Sequence, residues 1–171
     1  MSGFTEGART WQPREMAMVT EYLRERGLLA GSRSRVRLGM PAPVSDLQGV
    51  SRADLELLRV WARWADAVVI QPDRVVLLEA KIRPRLGPLE ALLLYKRLFL
   101  NDPEYQPHWH KPIELRWIYA IEDPLMVGLA QELGIVPELF RPHWLPNYLK
   151  LLSARERGAP RSEFLTSRVG E

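Results

Sequence analysis

The tetrapeptide Gln71-Pro72-Asp73-Arg74 divides two apolar, β-branched-rich runs, residues 65–70 and 75–82. Proline and aspartate among polar neighbours form turns, and flanking runs of this length form strands, so the segment predicts a β-hairpin. With the turn centred between Pro72 and Asp73, Ile70 faces Val75, Val68 faces Leu77 and Asp66 faces Glu79. Side chains directly opposed across a ladder leave the same face, and Lys81 joins that face two residues beyond Glu79. The other face (Ala65, Ala67, Val69, Val76, Leu78, Ala80 and Ile82) is wholly apolar. A hairpin apolar on both faces must be covered on both sides, so the three charges mark the end of a buried sheet.

Like charges opposed across a ladder repel, and something must offset the repulsion between Asp66 and Glu79. A divalent cation does so: Mg²⁺ takes oxygen ligands, commonly one or two carboxylates together with water and a substrate phosphate. Such a cation polarises a phosphoryl oxygen and lowers the pKa of bound water. Lys81 beside it can position or deprotonate that water and counter charge developing on phosphorus. Together these parts suffice for phosphodiester hydrolysis. A solvated salt bridge between Glu79 and Lys81 at a strand edge is the plainer alternative, worth about 0–1 kcal/mol.

Around the hairpin the periodicity alternates between helix and strand. Pro13 near a start, Met16, Val19 and Leu23 at helical spacing, and the stop at Gly27 predict an N-terminal helix. Val36 and Leu38 alternate with Arg35, Arg37 and Gly39 as a short strand, and Pro41 and Pro43 force a loop. Residues 51–62 read as a helix capped by Ser51. Residues 88–100 form a helix apolar on most faces and therefore largely buried, and 113–121 a third strong strand. A helix over 124–133, ended by Gly134, leads to a strand at 135–140, the pattern of a right-handed crossover between parallel strands. Residues 144–152 form a last helix. The expected class is α/β (α+β): a central mixed sheet flanked by helices, in the order α-β-β-β-α-β with a further α-β. Residues 1–10 read as a flexible leader, 11–152 as one domain and 153–171 as a basic, frayed tail.

Asp66 opening one strand and Glu79-Ala80-Lys81 closing the next resemble the PD-(D/E)XK, or restriction-endonuclease-like, nuclease superfamily. The element order over roughly residues 11–140 is similar to that family's core. The nearest likeness is to small Holliday-junction-resolvase-like or phage-encoded nucleases, whose first helix carries a glutamate and ends at glycine before the first strand. Arg14-Glu15-Met16 through Arg26-Gly27-Leu28 is similar. The resemblance implies metal-dependent hydrolysis of phosphodiester bonds in DNA by an endonuclease, structure-selective on branched or processed DNA. It implies Mg²⁺ or Mn²⁺ held by Asp66, Glu79 and the Ala80 carbonyl, Lys81 serving the water, and Glu15 as an additional carboxylate beside the metal. Glu15 shares a face with Val19 and Tyr22, whereas Glu21 and Glu25 share an i,i+4 face turned to solvent. Many family members place a glutamine four residues before the aromatic residue that is Tyr95 here; this chain has Ala91 there, with an exposed Glu90 beside it. That departure sustains a second reading, an inactive relative acting as a nucleic-acid-binding or assembly component.

Composition narrows the rest. The chain has 171 residues, a net charge of +3 and no cysteine, which excludes disulfides and thiolate metal sites. Arginine far outnumbers lysine, which occurs only at 81, 96, 111 and 150. Arginine suits bidentate phosphate contacts, although a GC-rich genome produces the same bias. His108-Trp109-His110 lies between Pro107 and Pro112 in a surface loop without a partner carboxylate, and Trp61, Trp64 and Trp117 fall in regular elements as core residues. No signal peptide or long apolar run occurs, so the expected setting is the cytoplasm, of the host where the chain is phage-encoded. No membrane contact is expected, and DNA is the expected partner. The small size fits a homodimer or larger assembly.

Overall fold

A computed structural model describes residues 12–39 and 63–156. The expected leader, the helix over 51–62 and the tail beyond 156 lie outside the described residues. The chain forms two compact units, residues 1–140 and 141–171. The first unit carries α1 (Gln12–Glu25), β1 (Ser32–Leu38), β2 (Arg63–Ile70), β3 (Val75–Lys81) and α2 (Gly87–Phe99). A 3₁₀ turn (Pro103–His108), β4 (Ile113–Tyr119), α3 (Pro124–Glu132) and β5 (Ile135–Leu139) follow. The second unit contains α4 (Leu145–Glu156), whose start is braced by an edge-to-face contact between Trp144 and Tyr148.

The strands form one five-stranded sheet in sequence order. β1, β2 and β3 are antiparallel neighbours, while β4 and β5 add in parallel, each after a helical crossover. The sheet is mixed and flanked by helices, as the sequence predicts. The hairpin register is the predicted one, Ile70 with Val75 and Val68 with Leu77. β5 lies at an edge, where Pro137 removes no hydrogen bond from an interior ladder.

Both faces are covered, as the double apolar pattern requires. Leu89, Leu92, Tyr95 and Phe99 of α2 pack with Val68, Val75, Leu77, Leu115 and Trp117 on one side. The helix is less enclosed than its sequence suggests, since Leu93, Leu94 and Leu100 reach solvent. On the opposite side α1 buries Met18, Val19, Tyr22 and Leu23, a stripe shifted from the predicted Met16, Val19 and Leu23. Tyr22 ties that helix to the far strands: its hydroxyl donates to Glu138 of β5 and accepts from Arg116 of β4. Burial first, and then the Glu138 carboxylate, push the Tyr22 pKa up to about 12, so the contact persists at neutral pH. Glu15 lies two helical turns before Tyr22 on the same face, and this anchor fixes where Glu15 points.

The strand alternation slips once, beside the charges. Arg33 of β1 reaches Glu104 and Tyr105 on the α2 side, yet Val36, three residues later, also packs with the α2 core. Regular pleating forbids two such residues on one face. The slip is taken up by Arg35, whose φ of 51° is left-handed. On β2, Ala65 and Val68 share the α2 core in the same way. The pairs Ser34–Ala67 and Val36–Ala65 leave Arg35 opposite Asp66.

Candidate active site

The site lies where β3 ends, β2 begins and the N-terminal half of α1 crosses above them. Glu15, Met16, Arg35, Trp64, Ala65, Asp66, Glu79 and Lys81 line one cavity of about 280 Å³. The structure therefore brings together all four side chains singled out in the sequence as site residues, from three different elements. The ladder between β2 and β3 is paired as far as Ala67 and Leu78. Just beyond it Asp66 Oδ2 accepts the Ala80 N–H at 2.9 Å. The aspartate thus holds the two strands in register at the point where they open.

Glu79 is 7% exposed. Its Oε2 lies 3.0 Å from the Tyr95 hydroxyl of α2, and its Oε1 3.4 Å from Lys81 Nζ. The Tyr95 oxygen also lies 2.6 Å from the Trp64 carbonyl, to which it donates. One hydroxyl carries one proton and can serve only one of these acceptors at a time. Lys81 turns toward α1, and its Nζ donates to Glu15 Oε2 at 2.9 Å. Glu79 and Lys81 therefore lean toward opposite helices, although alternation alone puts them on one face. The strand ends at Lys81, and the neighbouring helices decide the orientation there.

The electrostatics follow from burial. Desolvation, and then the nearby Asp66 charge, push the Glu79 carboxyl up to about 7. Asp66 is also raised by burial, and the Ala80 N–H and Lys81 only partly offset this. Burial works against the Lys81 ammonium too, but the Glu79 charge and the Glu15 hydrogen bond outweigh it and hold Lys81 above the ordinary lysine value. Buried Glu79 and half-buried Asp66 are both held above the ordinary carboxylate range chiefly by desolvation, which disfavours their charged forms. Among the described residues no three acidic or histidine side chains converge at metal-ligating spacing; here the Lys81 ammonium stands between Glu15 and Glu79. The donors that Asp66, Glu79 and the Ala80 carbonyl present are all oxygens, a set that suits Mg²⁺ or Mn²⁺.

Three residues at the site carry more than their sequence suggests. Trp64, expected in the core, is 55% exposed on the cavity wall. Its position two residues before Asp66 in the same strand was the available signal. Arg35 stands opposite Asp66, and its charge lowers the Asp66 pKa. Tyr95 anchors Glu79, which gives α2 a hold on the site despite Ala91, one turn earlier, packing only against the core. Glu90 and Lys96 are exposed on that helix. Trp117 is fully buried, as expected. His108 and His110 lie near the start of β4, at the opposite end of the sheet from the carboxylates.

Among the described residues no helix is long and apolar enough to cross a membrane. No protein-family model matches the chain, and no curated protein matches it. Among solved structures it is similar to the crystal structure of a repair endonuclease from Pyrococcus abyssi, with 12% identity and a TM-score of 0.44. The likeness covers 83% of this chain and 50% of that one, so the chain spans about half the length of its structural neighbour.

Proposed function

We propose that this chain is a PD-(D/E)XK-type, metal-dependent endonuclease that hydrolyses phosphodiester bonds in DNA. The observation that carries the reading is the convergence of Asp66, Glu79, Lys81 and Glu15 on one cavity at the end of a buried sheet. Carboxylates with raised pKa values beside a basic group in a cavity support this reading, because such shifts cluster at functional sites.

In this reading Asp66, Glu79 and the Ala80 carbonyl hold Mg²⁺ or Mn²⁺. The bound cation supplies Lewis acidity toward a phosphoryl oxygen and a more acidic water. The protein's own part is to hold the phosphate and its charge. Lys81, kept charged by carboxylates on both sides, is fitted to donate a hydrogen bond to a phosphate oxygen or to the attacking water. It stabilises negative charge rather than abstracting a proton. Glu15 orients that ammonium, and Tyr95 fixes the rotamer of Glu79. DNA is the partner and phosphate the reacting group.

Cleavage of linear, flapped and four-way DNA with Mg²⁺ or Mn²⁺ tests the reading. Wild type should cut at least one substrate, and Lys81→Ala should keep the fold and most metal affinity but lose at least about 100-fold in rate. Calorimetry should show Mn²⁺ binding that disappears in Asp66→Ala. The second reading, an inactive relative that binds nucleic acid or joins an assembly, draws on Ala91 and on the ion pairs that already engage Lys81. A wild type that cuts none of these substrates with either metal favours it.

A further inference from the structure

Trp64 lies in β2 with more than half of its surface open to water, although an indole offers one of the largest apolar surfaces available for burial. It is one wall of the acidic cavity. Two residues of extended strand, roughly 6.6 Å, separate it from Asp66, a distance on the scale of one nucleotide. The Arg35 and Arg37 guanidinium carbons stand 5.9 and 5.8 Å from the Trp64 ring centroid. That is near the outer edge of cation–π range, so neither guanidinium is stacked tightly on the ring. An exposed aromatic ring with two cations beside it has the composition of a platform for a nucleobase and its phosphate. The backbone strain points the same way: Arg35 holds a left-handed φ of 51° at the position opposite Asp66, and such strain is retained where a side chain must reach a particular place.

We infer that Trp64, flanked by Arg35 and Arg37, stacks an unpaired base of the strand whose phosphate enters the Asp66–Glu79 site. This rests on the phosphodiesterase reading and adds the substrate class: single-stranded or unpaired segments, not intact duplex. A paired base is stacked between its neighbours and offers no free face to a protein ring, whereas an unpaired base does. Arg35, exposed beside the ring and lining the cavity with Lys81, supplies attraction for phosphate next to the three carboxylates.

The test is fluorescence anisotropy in EDTA, with a labelled single strand of roughly 15 nucleotides and with the duplex of the same sequence. A second strand carries 2-aminopurine to report stacking directly. Wild type should prefer the single strand and quench the 2-aminopurine. Trp64→Ala should bind the single strand about 10-fold more weakly, within what stacking one base supplies. It should also lose the quench and leave duplex binding unchanged, and Trp64→Phe should recover most of the affinity. Because Trp64 is exposed, circular dichroism of Trp64→Ala should match wild type. Equal single-strand affinity in wild type and Trp64→Ala overturns the inference, as does a wild type that binds single strand and duplex alike or binds neither. So does a Trp64→Ala variant whose only change is in oligomeric mass. The measurement needs no cleavage: Trp64-dependent binding without hydrolysis in Mn²⁺ leaves the subsite standing and removes the nuclease reading. Hydrolysis that ignores Trp64 does the reverse.

Discussion

The Tyr95 hydroxyl has a single proton and two acceptors, the Trp64 carbonyl at 2.6 Å and Glu79 Oε2 at 3.0 Å. While Glu79 is protonated it can donate to Tyr95, which keeps its own proton on Trp64. Once Glu79 ionises, the hydroxyl proton is wanted by both. Tyr95 itself stays protonated throughout, because burial and then the Glu79 charge raise its pKa. Removing the hydroxyl should loosen Glu79 without emptying the core. Tyr95→Phe should therefore fold normally and bind Mn²⁺ about 10-fold more weakly, the lower end of the loss seen when a ligand's supporting hydrogen bond is removed; an unchanged calorimetric affinity would show that Glu79 needs no such anchor. Glu15 acts on Lys81 in the same indirect way. Glu15→Gln keeps the shape but removes the charge facing the ammonium, and cleavage should fall by about 10-fold, whereas Glu21→Gln should leave the rate at the wild-type value. Equal losses in both variants would mean that Glu15 contributes only to helix stability.

At the scale of the element, β1 and β2 share one irregularity, and it is placed at the site. Arg35 occupies a backbone region that glycine enters freely and a β-branched residue resists. Arg35→Gly should unfold within about 0.5 kcal/mol of wild type, while Arg35→Val should be less stable than Arg35→Gly by about 1–3 kcal/mol. Urea midpoints of the two variants decide this, and a Val variant as stable as the Gly variant removes the strain. Gly31, just before β1, tolerates nothing larger: an added Cβ would stand 2.4 Å from the Ile70 carbonyl oxygen at a φ of +78°. The kink was not legible in the sequence, because Arg33, Arg35 and Arg37 alternate with Ser34, Val36 and Leu38 as a regular strand does. The hairpin was legible, since turn chemistry and double-sided apolarity both fix the same register, which the ladder keeps as far as Ala67 and Leu78. Trp64 was misread because indole rings in strands usually pack inward, and pattern alone does not show which positions a cavity leaves open. The Tyr95 contact joins residues 16 apart across two elements, and no local spacing encodes it.

For the whole molecule, buried Glu79 and half-buried Asp66 make stability depend on pH in a direction opposite to that of ordinary surface acids. Glu79 titrates near 7 in the fold, against 4.5 for an unperturbed glutamate. Between those values the native chain keeps a proton that the unfolded chain has released, so stability falls as pH rises through that window. Below about 4.5 both states are protonated at this group, above about 7 neither is, and its contribution is flat on each side. Asp66, raised in the same sense, adds to the slope. On the proposed metal-dependent reading, a cation held by the ionised pair would compete with those protons and bind only the folded arrangement. Mg²⁺ should therefore raise the unfolding temperature more at pH 8 than at pH 5, with a gain of about 2.7 kcal/mol once its concentration reaches about 100 times its dissociation constant. Differential scanning calorimetry at the two pH values, with and without Mg²⁺, separates the contributions. Without the cation, wild type should lose stability between pH 5 and 7, and Glu79→Gln, which cannot ionise there, should show a smaller slope and little response to Mg²⁺. A wild type that gains stability over that window in parallel with Glu79→Gln, or a Mg²⁺ shift equal at both pH values, would mean that the carboxylate pair is neither held in its protonated form by desolvation nor the place where the cation binds.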